Sequence, residues 1–235
     1  MKINTAHRSN LPEMMDDFAM EGEILRDALD KIAKINQLLG GNKITIEGVK
    51  FLLKGKPKQQ LIRIIDLGCG NGDMLRALAD FAQKNDLSFS LTGIDANNFT
   101  IQHAKSLSVA YPNINFECKD IFESFNTECD IMLCTLTLHH FKDEEIIHLL
   151  ENIKSFVEVG IVINDLHRSA LAYRLFEAVC YVFNLNDMSR EDGLVSILRG
   201  FKKADLLAYS KALEAKSFSI KWKWAFRYQW IIRTQ

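Results

Sequence analysis

Between residues 61 and 183, short runs rich in β-branched residues alternate with longer stretches of helical periodicity. The runs Leu61–Asp66, Phe89–Asp95, Asn115–Cys118, Asp130–Thr135 and Val157–Asp165 read as strands. The stretches Asp73–Gln83, Phe99–Val109, Glu144–Phe156 and Ala170–Phe183 read as helices. Parallel strands need a crossover between them, and helices on both faces then bury the sheet from either side. The alternation therefore predicts an α/β fold.

The two ends of the chain read differently. From Glu21 to Leu53 apolar residues recur at three- and four-residue spacing, interrupted by "GGN", which predicts a helix, a glycine stop and a second helix resuming at Ile44. The polar, basic stretch Lys54–Gln60 with Pro57 reads as a linker, so residues 1–55 are expected to form a helical cap and 56–235 the core. Beyond a helix near Lys202–Ala215, Phe218, Ile220, Trp222 and Trp224, then Phe226, Tyr228 and Trp230, alternate with polar residues. That period predicts two short strands ending the sheet, their aromatics packed under flanking helices. A base-stacking platform is the alternative, but it calls for Lys and Arg clusters around the rings.

A chain of 235 residues suits one core with an appendage. Its formal net charge of −1 does not advertise a polyanionic partner, so no nucleic-acid partner is expected. The opening "MKINTAHRSN" has no apolar stretch that could act as a signal peptide, and no run approaches the ~20 apolar residues that span a bilayer. A soluble, cytoplasmic protein without a membrane partner is expected. Cys69, Cys118, Cys129, Cys134 and Cys180 form no C-x-x-C pair and are odd in number, which predicts reduced, mostly buried thiols.

"IIDLGCGNGD" (64–73) follows the first strand and opens the first helix after it. Gly68, Gly70 and Gly72 permit a sharp turn and close approach of a ligand to the backbone. A dinucleotide fingerprint would place its third glycine at position 73, where this chain has Asp73. With Asp66 and Asp73 on either side, the loop repels phosphate and suits a ligand with a cationic amino-acid end. Asp95 ends the second strand, where a carboxylate can accept both hydroxyls of a ribose, and Asp120 with Ile121 after the third offers a carboxylate beside an apolar wall.

In these motifs the chain resembles the class I S-adenosylmethionine-dependent methyltransferases, over roughly Leu61 to Asp165 and again in the terminal strand pair. The resemblance implies a Rossmann-like, seven-stranded, mostly parallel sheet with an antiparallel last strand. S-adenosylmethionine is the implied cofactor and S-adenosylhomocysteine the product. Carried over, Asp66, Gly68, Cys69, Gly70 and Gly72 belong to the methionine end, Asp95 and Ala96 to the ribose, and Asp120 and Ile121 to the adenine, with Cys134 nearby.

The acceptor is expected beyond the fourth and fifth strands. Pro12, Pro57 and Pro112 are the only prolines, so neither the N-P-P-Y-like nor the Pro-Cys motif of base methylases can be assembled. Metal-dependent catechol methylases pair an Asp after the fourth strand with Asp-Asn after the fifth. Here Asn164-Asp165 fills the second place and "LCTLTL" offers no carboxylate at the first, so no metal is expected.

"LHHF" is similar to the corresponding stretch of small-molecule methyltransferases of quinone and polyketide type. That mapping makes His139 the candidate general base and His140 a packed, capping or acceptor-side neighbour; both as hydrogen-bonded rim residues is the blander reading. Asp165, His167 and Arg168 form a second cluster, in which His167 or Arg168 could polarise the acceptor and Asp165 or Ser169 could instead cap a helix. Met14, Met15, Phe18 and Met20 could line a lid over an apolar acceptor, or belong to an ordinary helical extension. The expected activity is methyl transfer to a small-molecule hydroxyl by a monomer or homodimer. A non-catalytic cofactor-binding protein and an RNA or protein methyltransferase are the alternatives.

Overall fold

The computed structural model describes residues 3–123 and 127–234, and in it the alternating runs become one sheet. Its strands are β1 (Leu61–Leu67), β2 (Ser88–Asp95), β3 (Ile114–Cys118), β4 (Cys129–Thr135), β5 (Val157–Leu166), β6 (Ser217–Lys223) and β7 (Arg227–Arg233). They lie in the order β3-β2-β1-β4-β5-β7-β6, with β7 antiparallel to both of its neighbours. The fold is thus the expected Rossmann-like arrangement, and β1 and β4 sit side by side at its centre.

The helices are α1 (Glu23–Leu38), α2 (Gly41–Leu52), α3 (Asp73–Lys84), α4 (Asn98–Leu107), α5 (Asp143–Lys154), α6 (Ala170–Val182), α7 (Asp187–Arg199) and α8 (Lys203–Ala212). Alternation along the central strands splits the core in two. Ile131, Leu133 and Val162 pack with Leu75 and Leu78 of α3 and with Val49 and Leu52 of α2. On the other face Met132, Cys134, Ile161, Ile163 and Trp230 pack with Ile146, Leu149 and Leu150 of α5 and Leu206 of α8.

Three details differ from the sequence reading. The second helix begins at Gly41, inside the "GGN" interruption, because Gly40 adopts the left-handed conformation (φ 74°) and turns the chain directly into it. α7 was not foreseen. Its buried residues are Met188, Ser189, Asp192, Ile197 and Arg199, a mixture that leaves no apolar stripe to detect. Trp222 and Trp224 are 51% and 72% exposed rather than covered, since β6 is the edge strand and Trp224 lies in the turn that follows it, whereas Trp230 on the inner strand β7 is fully buried.

α2 shares the core of the sheet. Ile44, Val49 and Leu52 are buried, each contributing roughly 1.5–3 kcal/mol. A Cβ at Gly48 would meet Val162 Cγ1 at 2.5 Å, so the helix backbone lies directly on β5. α1 and the segment before it instead run over the carboxyl ends of the strands. There the Ser9 N–H donates to the Leu198 carbonyl, the Met14 and Met15 N–H groups donate to the Asp192 carboxylate, and Asn97 Nδ2 donates to the Met20 carbonyl. No described helix is long and apolar enough to cross a membrane. The five cysteines are unpaired and all but Cys118 are buried.

Candidate functional site

The turn after β1 is shaped by contacts a side chain would destroy. Gly68 (φ 66°) and Gly70 (φ 52°) are left-handed, and a Cβ on Gly68 would strike Thr137 Cγ2 at 2.5 Å. The Thr137 hydroxyl donates to the Leu67 carbonyl, pinning the end of β4 to the loop. A Cβ on Gly70 would instead meet only Leu29 Cδ2, at 3.9 Å, so that backbone faces open space. Gly72 packs on Phe116 and precedes α3; it shapes the turn and does not line the cavity below.

The acids gather as the strand ends require. Asp95 Oδ2 accepts from the Gly70 N–H at 3.1 Å and Oδ1 from the Asn97 N–H at 3.0 Å, tying β2 to the glycine loop. Asp66 is 1% exposed and its Oδ1 has no hydrogen bond among the described residues. Burial, with Asp73 and Asp95 nearby, pushes its carboxyl well above the ordinary range. Asp120 Oδ1 accepts from the Phe122 N–H, closing the turn after β3, with Ile121 buried beside it. A buried carboxylate oxygen lacking a donor, next to glycine backbone open to a ligand, is the complement of an ammonium group on a nucleoside-linked amino acid.

One cavity of about 1490 Å³ collects these groups and the acceptor-side candidates. Asp66, Gly68, Cys69, Gly70, Asp95 and Ala96 line it, as do Asp120 and Ile121. His139, His140, His167, Arg168 and Phe18 line it from the other side. Cys134 does not. It is wholly buried on the α5 face of β4, because period two turns it away from the rim. The Cys69 side chain likewise packs inward, and burial raises its thiol pKa well above the ordinary value.

The histidine pair sits in a short helical turn, Leu138–His140, with the burial opposite to expectation. The His139 side chain is 4% exposed and that of His140 24%. His139 Nδ1 lies 2.7 Å from Asp165 Oδ1, and its backbone N–H donates to Asp165 Oδ2 at 3.3 Å. Burial alone would raise the Asp165 carboxyl, but the His139 ring beside it holds it below the ordinary value. Asp165 is therefore behind the histidine and off the cavity wall.

His140 Nδ1 lies 2.7 Å from Asp16 Oδ1, a bond between residues 124 apart in sequence. Asp16 also accepts from Arg199 Nη1 at 2.7 Å, and Arg199 donates to the His139 and His140 carbonyls. Glu13 completes this corner, with Oε2 accepting from the Ser196 hydroxyl and Oε1 4.0 Å from His139 Nε2. Burial raises the Glu13 carboxyl. Glu13, His139 and His140 each present a ligand atom within 4.8 Å of the others. Arg199, 3.5 Å from Glu13 Oε1, already supplies a cation at that spot.

Glu13, Asp16, Arg199 and Arg227 were not singled out from the sequence. Three of them belong to the N-terminal segment and to α7, whose meeting no local pattern signals. One sign was available: Asp192, Ser196 and Arg199 are spaced as polar residues along one helix face.

His167 and Arg168 separate in role. His167 Nδ1 accepts from Trp222 Nε1 at 3.2 Å, and burial followed by the charges of Lys202 and Arg168 lowers its pKa. Arg168 is 2% exposed and its guanidinium is consumed, with Nη1 donating to the Gly200 carbonyl and Asp205 and Nε to the Thr5 carbonyl. Arg168 thus fastens the N-terminal segment and α8 to the end of β5. Arg168→Ala is expected to lower stability by about 3–5 kcal/mol, seen as an earlier denaturant midpoint. A shift in substrate affinity at unchanged midpoint would contradict that role.

A family model described as "Methyltransferase domain" matches residues 58–218. No curated protein sequence matches the chain. Among solved structures, the plantazolicin methyltransferase BpumL with bound S-adenosylhomocysteine is 18% identical, with 90% of this chain and 95% of that one covered at a TM-score of 0.66. Magnesium protoporphyrin IX methyltransferase from Synechocystis PCC 6803, also with S-adenosylhomocysteine, is 20% identical over 83% of this chain and 82% of its own, at a TM-score of 0.55. The same enzyme with S-adenosylmethionine gives 16% identity, 93% and 88% coverage and a TM-score of 0.56. With its acid-flanked glycine loop on this sheet, the chain belongs to the methyltransferase-domain family and has the class I fold of S-adenosylmethionine-dependent methyltransferases.

Proposed function

We propose that the protein methylates a hydroxyl oxygen of a large, mostly apolar acceptor of aromatic or polyketide-like character. The observation that carries this reading is His139, on the wall of the same cavity as the glycine loop and backed from behind by Asp165. Bound at that loop, S-adenosylmethionine supplies an electrophilic methyl group on a positively charged sulfur. In this reading Asp66 and Asp73 would hold its amino-acid end, and Asp95 and Asp120 would accept from the ribose and the adenine.

Apolar side chains form much of the remaining wall: Met15 and Phe18 from the N-terminal segment, Leu175 and Val179 from α6, and Trp222 and Phe226 from the last hairpin. A cavity of about 1490 Å³ exceeds the roughly 300–1,000 Å³ of a pocket for one drug-sized ligand, which leaves room for a sizeable acceptor beside the cofactor. Similar folds include the methyltransferases of plantazolicin and of magnesium protoporphyrin IX, which supports a small molecule over a nucleic acid.

The chemistry follows from the tautomer. With Nδ1–H donated to Asp165, His139 Nε2 carries the lone pair and would take the proton of an acceptor hydroxyl, readying that oxygen for the methyl group the cofactor would supply. The N-terminal segment, strapped over the strand ends, excludes water from that step and orients the acceptor.

The test is labelled-methyl transfer from S-adenosylmethionine to a panel of polycyclic phenols, the matching anilines and the phenols' own methyl ethers. Label entering the phenols but not their ethers is expected. Label confined to the anilines, or to RNA or protein added in parallel, would replace the hydroxyl reading.

A further inference from the structure

Arg227 opens β7 opposite Leu166, at the carboxyl edge of the parallel strands. It is 4% exposed, it lines the cavity, and its Nε and Nη1 have no hydrogen bond among the described residues. Most buried guanidinium groups are spent on carbonyls and carboxylates, as Arg168 and Arg199 are here. An incompletely bonded one is costly to bury, by several kcal/mol, unless something else completes it.

Its surroundings say what that something is. Gln229, two residues along the same strand face, donates to the Ile44 carbonyl of α2. From α2, Asn42 Nδ2 donates to Asp73 Oδ2 at 2.9 Å, beside the glycine loop. Arg227 thus faces the α2 side of the cavity, where Asp73 and, from the other strand face, Asp165 attract it through space. The acids near the loop suit an ammonium group, but the amino-acid end of the cofactor is a zwitterion and needs a cation for its other charge.

We propose that Arg227 is the carboxylate-binding residue of the cavity. The carboxylate comes from the amino-acid end of the cofactor or from an acidic acceptor, and a guanidinium recognises both by the same charge-assisted hydrogen bonds. The inference rests on the methyltransferase reading only for the first source, and ligand binding to the unaltered protein tests that reading separately.

The experiment is calorimetric titration of the full chain and of Arg227→Gln and Arg227→Lys with S-adenosylhomocysteine and with 5′-methylthioadenosine, which lacks the amino acid. Arg227→Gln is expected to weaken S-adenosylhomocysteine at least about tenfold, the worth of one charge-assisted hydrogen bond. It should leave 5′-methylthioadenosine unchanged, and Arg227→Lys should recover part of the loss. If S-adenosylhomocysteine is unaffected but benzoate binding to the loaded protein is lost, the carboxylate is the acceptor's. Because Arg227→Gln removes an incompletely bonded buried charge, the thermal midpoint of the free protein should hold or rise. A fall in midpoint with equal weakening of both adenosine ligands, or no change with any ligand, overturns the proposal.

Discussion

Asp95→Ala is expected to weaken S-adenosylhomocysteine binding by about 100-fold or more. The carboxylate has two tasks that fail together. One oxygen accepts from the Gly70 N–H and the other from the Asn97 N–H, so the side chain holds the glycine loop and the start of α4 in register. Its remaining lone pairs face the cavity, where ribose hydroxyls can donate to them. Each hydrogen bond to a charged group contributes roughly 1.5–3 kcal/mol, and 1.4 kcal/mol is a factor of ten in affinity. Two lost ribose bonds alone therefore account for the expected effect, and a loosened loop adds to it. Asp95→Asn, which keeps one acceptor, should fall between the two. Calorimetry decides it: affinity within about threefold of the original in Asp95→Ala would mean that the ribose is held elsewhere.

The cofactor half of the cavity is legible in sequence because its parts are local. Asp66, Gly68, Gly70 and Asp73 lie within one strand–turn–helix unit, and Asp95 and Asp120 end the next two strands, so strand order alone brings them together. Errors there come from side-chain direction. Cys134 lies near the right end of β4, yet one residue of alternation separates the buried face from Thr135, which meets Thr45 of α2.

The acceptor half is assembled from far apart. Asp16 reaches His140, Arg8 donates to the His139 and Phe141 carbonyls, and Arg199 joins both to the N-terminal segment. No periodicity encodes such contacts. α7, which supplies Arg199, is anchored by polar bonds through Asp192 and Ser196 more than by an apolar stripe, and those bonds exist only once the N-terminal segment has crossed the strand ends. The wall opposite the glycine loop therefore comes from the part of the chain that local reasoning reads least well.

Asp165→Asn should lower turnover by about 10²–10⁴-fold while leaving cofactor affinity nearly intact. The carboxylate accepts from the His139 backbone N–H, the Leu166 N–H and His139 Nδ1–H, three donors around two oxygens. An amide offers one oxygen and one NH₂. If the NH₂ faces the ring, Nδ1 must become the acceptor, and the proton moves to Nε2, the nitrogen meant to receive the acceptor's proton. If it faces the backbone instead, two N–H groups oppose each other in a buried site and the turn carrying His139 shifts. Either outcome removes general-base catalysis, worth about 10²–10⁴-fold. His139→Ala should fall as far, and the double variant no further, since the two groups act as one unit. The readout that separates this role from mere support of the fold is kcat against S-adenosylhomocysteine affinity and thermal midpoint. A fall in all three would make Asp165 structural. Unchanged turnover in both single variants would leave alignment of the acceptor as the sole source of rate.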